Sequence, residues 1–193
     1  ADRIKDGAFD ALEELRAQGV KSLVMLTGDV RSAAKTVASS LNFDMVKAEL
    51  TLDGKITAVE YMLSKKATGA CLAFVGDGVG DAPVMTHADI GIALGAVNEY
   101  SAIDAADVVL MDEDIRALPE ARSLCRNVTD TAGQNILLSL AAKAILVVLG
   151  VFGVINIWIA ALAELCVLAA AIANAGKNDI KFEKENIDER SVQ

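Results

Sequence analysis

From Ile4 to Gln18 the apolar residues Ile4, Ala8, Ala11, Leu12 and Leu15 recur at helical spacing, and Gly19 follows as a natural stop, so the pattern predicts a helix. A continuous apolar run, SLVMLTGD, comes next and ends in Thr27, Gly28 and Asp29, after which Arg31–Leu41 returns to helical spacing. This reads as strand, loop, helix. The unit repeats with Lys55–Lys66 as a helix, ACLAFVGDG as strand and loop, and Asp81–His87 as a short helix. ADIGIAL and AADVVLM then read as further buried strands. Strands apolar on both faces that alternate with helices imply an α/β, Rossmann-like parallel sheet covered by helices on both faces. In such sheets ligands bind beyond the carboxyl ends of the strands, where both TGD and GDG fall.

The pattern changes after residue 130. Asn135–Phe152 and Val154–Asn174 are apolar stretches long enough to cross a hydrocarbon core of about 30 Å, which predicts two transmembrane helices at about 135–152 and 154–175. The uncharged link between them is short, so the helices form an antiparallel hairpin with both ends on one side. A buried hairpin inside a soluble protein is the alternative, but residues 1–130 are too few to enclose two long helices apolar all round. The organisation expected is therefore an α/β domain at 1–130, a membrane hairpin at 131–176 and a polar, disordered tail at 177–193.

Composition sharpens this division. The 193 residues are 53% hydrophobic with a mean hydropathy of +0.40, too apolar for an average soluble domain. Between Thr131 and Ala175 the only ionisable side chains besides Cys166 are Lys143 and Glu164. A net charge of −9 argues against nucleic acid as a partner. Cys71, Cys125 and Cys166 are widely spaced with no CxxC pair, which disfavours a disulfide framework and favours a reducing cytosolic face. The charged, amphipathic N-terminus shows no signal-peptide pattern.

The candidate chemistry sits in loops. Thr27 and the backbone N–H groups of the TGD turn, where a strand meets a helix N-terminus, can cradle a phosphoryl group. In GDGVGDAP, residues 76–83, Gly76 and Gly78 let backbone approach a phosphate while Asp77 and Asp81 offer the hard oxygen ligands that Mg²⁺ prefers. Lys55 supplies a compact positive charge of the kind phosphoryl transfer uses. Each motif alone is common in turns and on surfaces; their order within one α/β pattern is far more specific.

Together, TGD, Lys55, GDGxxDAP and ADIGIALG resemble the later motifs of P-type ATPases, members of the haloacid-dehalogenase superfamily. The continuation, SAIDAADVVLMDEDIRALPEARSLCRNV with QNILLSLAAK and WIAALAE, resembles the heavy-metal branch of the zinc, cadmium, lead and cobalt type, over roughly residues 1–177. The resemblance implies an incomplete haloacid-dehalogenase-like sheet. It implies that Thr27, Gly28 and Asp29 contact the phosphoryl group, that Lys55 binds phosphate, and that Asp77 holds Mg²⁺ with Asp81 supporting it. Asp2 resembles the acidic residue that opens this half-domain near the nucleotide side. ATP, Mg²⁺ and a transported divalent heavy-metal ion are the implied cofactors and cargo. The implied partners are the lipid bilayer and an N-terminal half carrying the actuator, the nucleotide-binding domain and the earlier membrane helices. The implied location is the cell membrane, with the α/β domain and tail cytoplasmic.

Departures from the family pattern matter as well. No DKTGT string occurs, so the phosphorylated aspartate is absent and the chain alone is expected to be inactive. Gly80 stands where the family usually has Asn, and Glu164 where the zinc and cadmium pumps usually have Asp. Lys143 and Glu164 are each the only acid or base in their apolar helix, a placement that costs about 2.5–3.5 kcal/mol on insertion scales, so they are expected to face each other. Glu164 would bind the transported metal, with Lys143 as its counter-charge. Plainer readings fit the remaining residues: His87 at the surface, Cys71 in the core, and Cys166 a packing residue with a soft-ligand role as the alternative. Two other functions are open at this point. One is a membrane-anchored phosphatase of the same superfamily; the other is a non-catalytic membrane protein derived from a split or decayed pump.

Overall fold

The computed structural model describes residues 4–76, 79–95, 100–111 and 113–191, with Val79 and residues 177–191 through their backbone alone. Asp2, Asp77 and Gly78 therefore lie outside the described residues. The chain divides into two compact units, Ala1–Ala121 and Arg122–Gln193.

In the first unit, strands and helices alternate as α1 (Ala8–Ala17), β1 (Val24–Leu26), α2 (Arg31–Ser40), β2 (Met45–Lys47), α3 (Leu52–Lys65), β3 (Ala73–Gly76), α4 (Ala82–Met85), β4 (Ile90–Leu94), α5 (Tyr100–Ala105) and β5 (Val108–Leu110). Every ladder is parallel: β1 pairs with β2, and β3, β4 and β5 form a second sheet in that order. The fold class expected from the pattern is present. Among the described residues, however, no ladder joins β1 to β3, so one expected sheet is two. Helix α1 buries Ala8, Leu12 and Leu15 against Leu41, Leu23 and Phe43, while Met85, Ala93 and Ala102 form a second apolar centre with Phe74 and Val109.

Some boundaries move for local reasons. Helix α1 starts at Ala8 rather than Ile4 because Gly7 adopts φ 80°, outside the helical basin. Its end is as expected: Gly19, at φ 97°, lets Val20 N–H reach Leu15 O and Gly19 N–H reach Arg16 O, a Schellman stop. Helix α3 starts at Leu52 instead of Lys55, because the Thr51 hydroxyl accepts from Gly54 N–H at 3.3 Å and caps it. Cys71, expected in the core, is exposed, because β3 begins only at Ala73.

A repeated device fixes the sheet edges. The aspartate just before β2, β4 and β5 reaches back to the strand alongside: Asp44 Oδ2 accepts from Leu23 N–H at 2.7 Å, Asp89 Oδ2 from Leu72 N–H at 2.8 Å, and Asp107 Oδ2 from Gly91 N–H at 2.8 Å. In each case the aspartate's own N–H donates to the carbonyl of the same partner, at 2.9, 3.1 and 2.8 Å respectively. The two carboxylates nearest cations are held below the usual aspartate range. For Asp44 the main cause is the Leu23 N–H, aided by Arg16; for Asp89 it is the Lys66 ammonium, aided by the Leu72 N–H.

The second unit is a pair of helices, α6 (Ala117–Val151) and α7 (Ile157–Ser191). Each contains a stretch long and apolar enough to cross a membrane, with mean hydropathies over 18 residues of 1.9 in α6 and 2.0 in the Ile157–Gly176 part of α7. Helix α6 begins well before Asn135: Pro119 falls in its first turn, where a missing N–H does no harm, and apolar content marks where a helix is dry rather than where it starts. Between the helices, Gly153 at φ 69° closes a second Schellman stop, with Val154 N–H on Leu149 O at 3.0 Å. Asn156 then caps α7 through Ile159 N–H at 3.0 Å. The backbone of α7 continues to Ser191 where a disordered tail was expected; the segment is rich in Lys and Glu, which favour helix, and contains no proline.

Candidate phosphate and cation site

The TGD turn leaves the carboxyl end of β1. Thr27 prolongs the ladder, its N–H donating to Lys47 O at 3.0 Å and its carbonyl accepting from Leu50 N–H at 3.1 Å. The Thr27 hydroxyl donates to Asp29 Oδ2 at 2.8 Å and accepts from Asp29 N–H at 3.1 Å, so threonine and aspartate lock each other across the turn. A Cβ on Gly28 would lie 3.3 Å from Leu50 O, which explains a glycine where the turn passes the next segment. Glu49, held at φ 58°, donates its N–H to Asp29 O and accepts from Arg31 N–H at 3.3 Å. Its carboxylate thus partly compensates the N-terminus of α2.

Leu50 leads directly into the Thr51 cap of α3, and that cap sets Lys55 in the first turn. From there Lys55 Nζ reaches Asp81 Oδ1 at 2.6 Å, with side-chain exposures of 20% and 17%. This contact is shielded enough to resist screening by salt, unlike the exposed ion pairs elsewhere in the unit. Asp81 closes the 3-10 turn Val79–Asp81 that follows β3 and precedes α4. Gly76, the last residue of β3, has no room for a side chain, since a Cβ there would lie 2.8 Å from Asp81 Cβ and 2.6 Å from Met85 Cε.

The structure therefore brings Lys55, Asp81 and Gly76 together, locks Thr27 to Asp29, and joins the two groups through Lys47–Thr51. Asp77 and Gly78 fall outside the described residues. Asp81 offers a hard carboxylate oxygen of the kind Mg²⁺ takes, here paired with Lys55. Among the described residues no cluster of three or more His, Cys, Asp or Glu side chains gathers.

In the second unit, Lys143 Nζ lies 3.9 Å from Glu164 Oε1, the two side chains meeting across the hairpin. Cys166 is exposed. His87 is a surface residue whose Nδ1 lies 2.8 Å from Pro83 O. Two residues that the sequence reading did not single out also meet between the helices: Asn135 Nδ2 donates to Ala171 O at 3.2 Å, and Asn174 Nδ2 donates to Asn135 Oδ1 at 2.9 Å. Their signal was present as amides at matching ends of the two apolar stretches, Asn135 opening the first and Asn174 closing the second.

Residues 1–89 match the family of haloacid dehalogenase-like hydrolases. The chain is 41% identical to a zinc-transporting ATPase of Synechocystis and 38% identical to a cadmium, zinc and cobalt-transporting ATPase of Bacillus subtilis, in each case over 91% of its length. A crystal structure of a zinc-transporting PIB-type ATPase superposes over 92% of the chain and 28% of that protein, with a TM-score of 0.83 and 36% identity. The chain spans about a quarter of the length of the curated relatives it matches, 24% and 25% for these two.

Proposed function

Because the chain is homologous to the C-terminal portion of the heavy-metal P-type ATPases, we propose that it supplies the phosphate-binding and Mg²⁺-binding loops and the last two membrane helices of an ATP-driven divalent-metal pump. The rest of such a pump would bring the phosphorylated aspartate, the actuator, the nucleotide-binding domain and the earlier helices. The homology runs through the hairpin, which a membrane-anchored phosphatase does not account for.

The observation that carries this reading is the shielded Lys55–Asp81 contact beside the TGD turn. Opposite charges that satisfy each other at 2.6 Å are poised to exchange partners. Lys55 would turn to a phosphoryl oxygen, and Asp81, with Asp77, to Mg²⁺. Mg²⁺ would neutralise charge on the phosphate oxygens. Gly28 would offer its backbone N–H to the same group, and the Thr27 hydroxyl would join it by turning its proton from Asp29 Oδ2, 2.8 Å away, to a phosphoryl oxygen, its own oxygen still held by the Asp29 N–H.

In the membrane, Glu164 would take the transported cation, and Lys143 would replace it as counter-charge after release. The antiparallel hairpin keeps both of its ends on one face, which we assign to the cytoplasm together with the α/β unit. In the complete pump, Glu164→Gln is expected to abolish metal-stimulated ATP hydrolysis while membrane insertion stays intact, and Lys55→Met is expected to lower phosphoenzyme formation. Metal-dependent ATPase assays and acid-stable labelling check both, and normal metal-stimulated turnover by Glu164→Gln sinks the cation assignment.

A further inference from the structure

The hairpin contains a polar contact that neither phosphate chemistry nor cation binding uses. Asn135 spends both ends of its amide across the gap between the helices, donating to Ala171 O and accepting from Asn174. Both asparagines are half-buried, and an amide in an apolar span needs such partners. Their placement relative to the charged pair is regular. Asn135 lies eight residues before Lys143, about 12 Å along α6, and Asn174 lies ten residues after Glu164, about 15 Å along α7. Ala171, seven residues after Glu164, shares nearly the same face of α7, about 20° away.

We propose that Asn135 and Asn174 form a register clasp, positioning residues that hold α6 against α7 so that Lys143 stays opposite Glu164. The proposal rests on the reading of Glu164 as the cation ligand. The remaining half-covered positions of the two helices include Ser139, Ala142, Leu146, Leu149, Ala163 and Val167, small or apolar side chains whose non-directional contacts re-form after a slide. The amide pair is different: one turn toward the loop from Asn174 lies Ala170, which offers Asn135 no side-chain partner. A slide of one turn in that direction, about 5.4 Å, would break the bond from Asn174 to Asn135 and draw Lys143 away from Glu164. A single buried asparagine sets helix register in the same way in coiled coils.

Without the clasp, in-register and slipped hairpins interconvert, and only the former presents Glu164 with its counter-charge. A cation that selects the in-register state then shows weaker apparent affinity with an unchanged maximal rate. In the complete pump, Asn135→Leu is therefore expected to raise half-saturating Zn²⁺ for ATP hydrolysis about threefold to twentyfold, the range that membrane hydrogen bonds span, with maximal turnover changed less than about twofold. Asn174→Gln, which keeps a donor amide, should stay near the parent. A role in folding alone would instead lower maximal turnover and leave half-saturation fixed, which overturns the proposal. Register is read independently in this chain, reconstituted in lipid vesicles with its three cysteines replaced by serine. Ser139→Cys is tested by disulfide trapping against Ala163→Cys, Val167→Cys and Ala171→Cys. The parent should prefer Val167→Cys, and Asn135→Leu should spread trapping to the neighbouring turns. Unchanged trapping overturns the clasp. Normal turnover by Glu164→Gln overturns the cation reading and not the clasp, which stands or falls on the trapping preference.

Discussion

Gly76 and Gly80 lie four residues apart around the same strand end and have opposite steric surroundings. A Cβ on Gly76 would lie 2.6 Å from Met85 Cε, which can swing away, and 2.8 Å from Asp81 Cβ, which is fixed to the backbone. Gly76→Ala therefore displaces Asp81 and stretches its contact with Lys55; overpacking of this kind costs about 1–3 kcal/mol. A Cβ on Gly80 would meet nothing within 4 Å. Restoring the asparagine of the family pattern by Gly80→Asn should change stability by less than about 0.5 kcal/mol and add an amide beside Asp81. In the complete pump, phosphoenzyme formation is expected to fall with Gly76→Ala and to rise with Gly80→Asn. Thermal melts alongside labelling check both, and a loss of stability in Gly80→Asn as large as that in Gly76→Ala would contradict the steric argument.

At the scale of elements, the three aspartate returns before β2, β4 and β5 decide how neighbouring strands enter their ladders. Asp107→Ala leaves Gly91 N–H without its carboxylate and should destabilise the unit by about 1.5–3 kcal/mol, with Asp107→Asn milder because it keeps an acceptor. Asp44 and Asp89 add a pH dependence. Their folded values lie below the ordinary value of about 3.9, so their contribution is complete above that value and is lost as pH falls through the lower folded one. Melts between about pH 6 and pH 3 should show an acid limb that flattens in an Asp44→Asn, Asp89→Asn double variant; an unchanged limb would assign it to other carboxylates. None of these returns was read from the sequence, although an aspartate precedes each of the three strands, because apolar periodicity records faces and not the bonds at strand ends. The same blindness hid β2, whose Met45–Lys47 is too short to register, and α5. Strands β1, β3, β4 and β5 and the hairpin were legible because each is a continuous apolar run. Of the candidate site, the positions of TGD, Lys55 and Asp81 at strand ends and a helix start were legible from motif order, whereas the Lys55–Asp81 and Asn135–Asn174 contacts were not, because the sequence reading applied helix facing to Lys143 and Glu164 alone.

The whole molecule combines two parallel sheets, each with an open edge, and a hairpin whose apolar stretch, Thr131–Ala175, carries one acid and one base. A parallel sheet normally has both faces covered, yet Val75 in β3 is 37% exposed, and β1 and β3 each keep an edge without a ladder among the described residues. A further parallel strand between them would unite the sheets, and in the proposed pump its carboxyl end would carry the phosphorylated aspartate between the TGD turn and Asp81. The 193 residues contain no DKTGT string. The isolated chain in lipid vesicles is accordingly expected to give no acid-stable labelling from γ-labelled ATP. Adding the DKTGT-containing portion of a homologous pump should restore labelling and raise the melting temperature of the α/β unit, because a strand that pairs on both edges stabilises by mass action. Replacing the DKTGT aspartate by asparagine should abolish the labelling and keep the rise in melting temperature, which separates strand pairing from chemistry. Labelling of the isolated chain, or restored labelling with no thermal shift, would rule out the missing strand as the link between the two sheets.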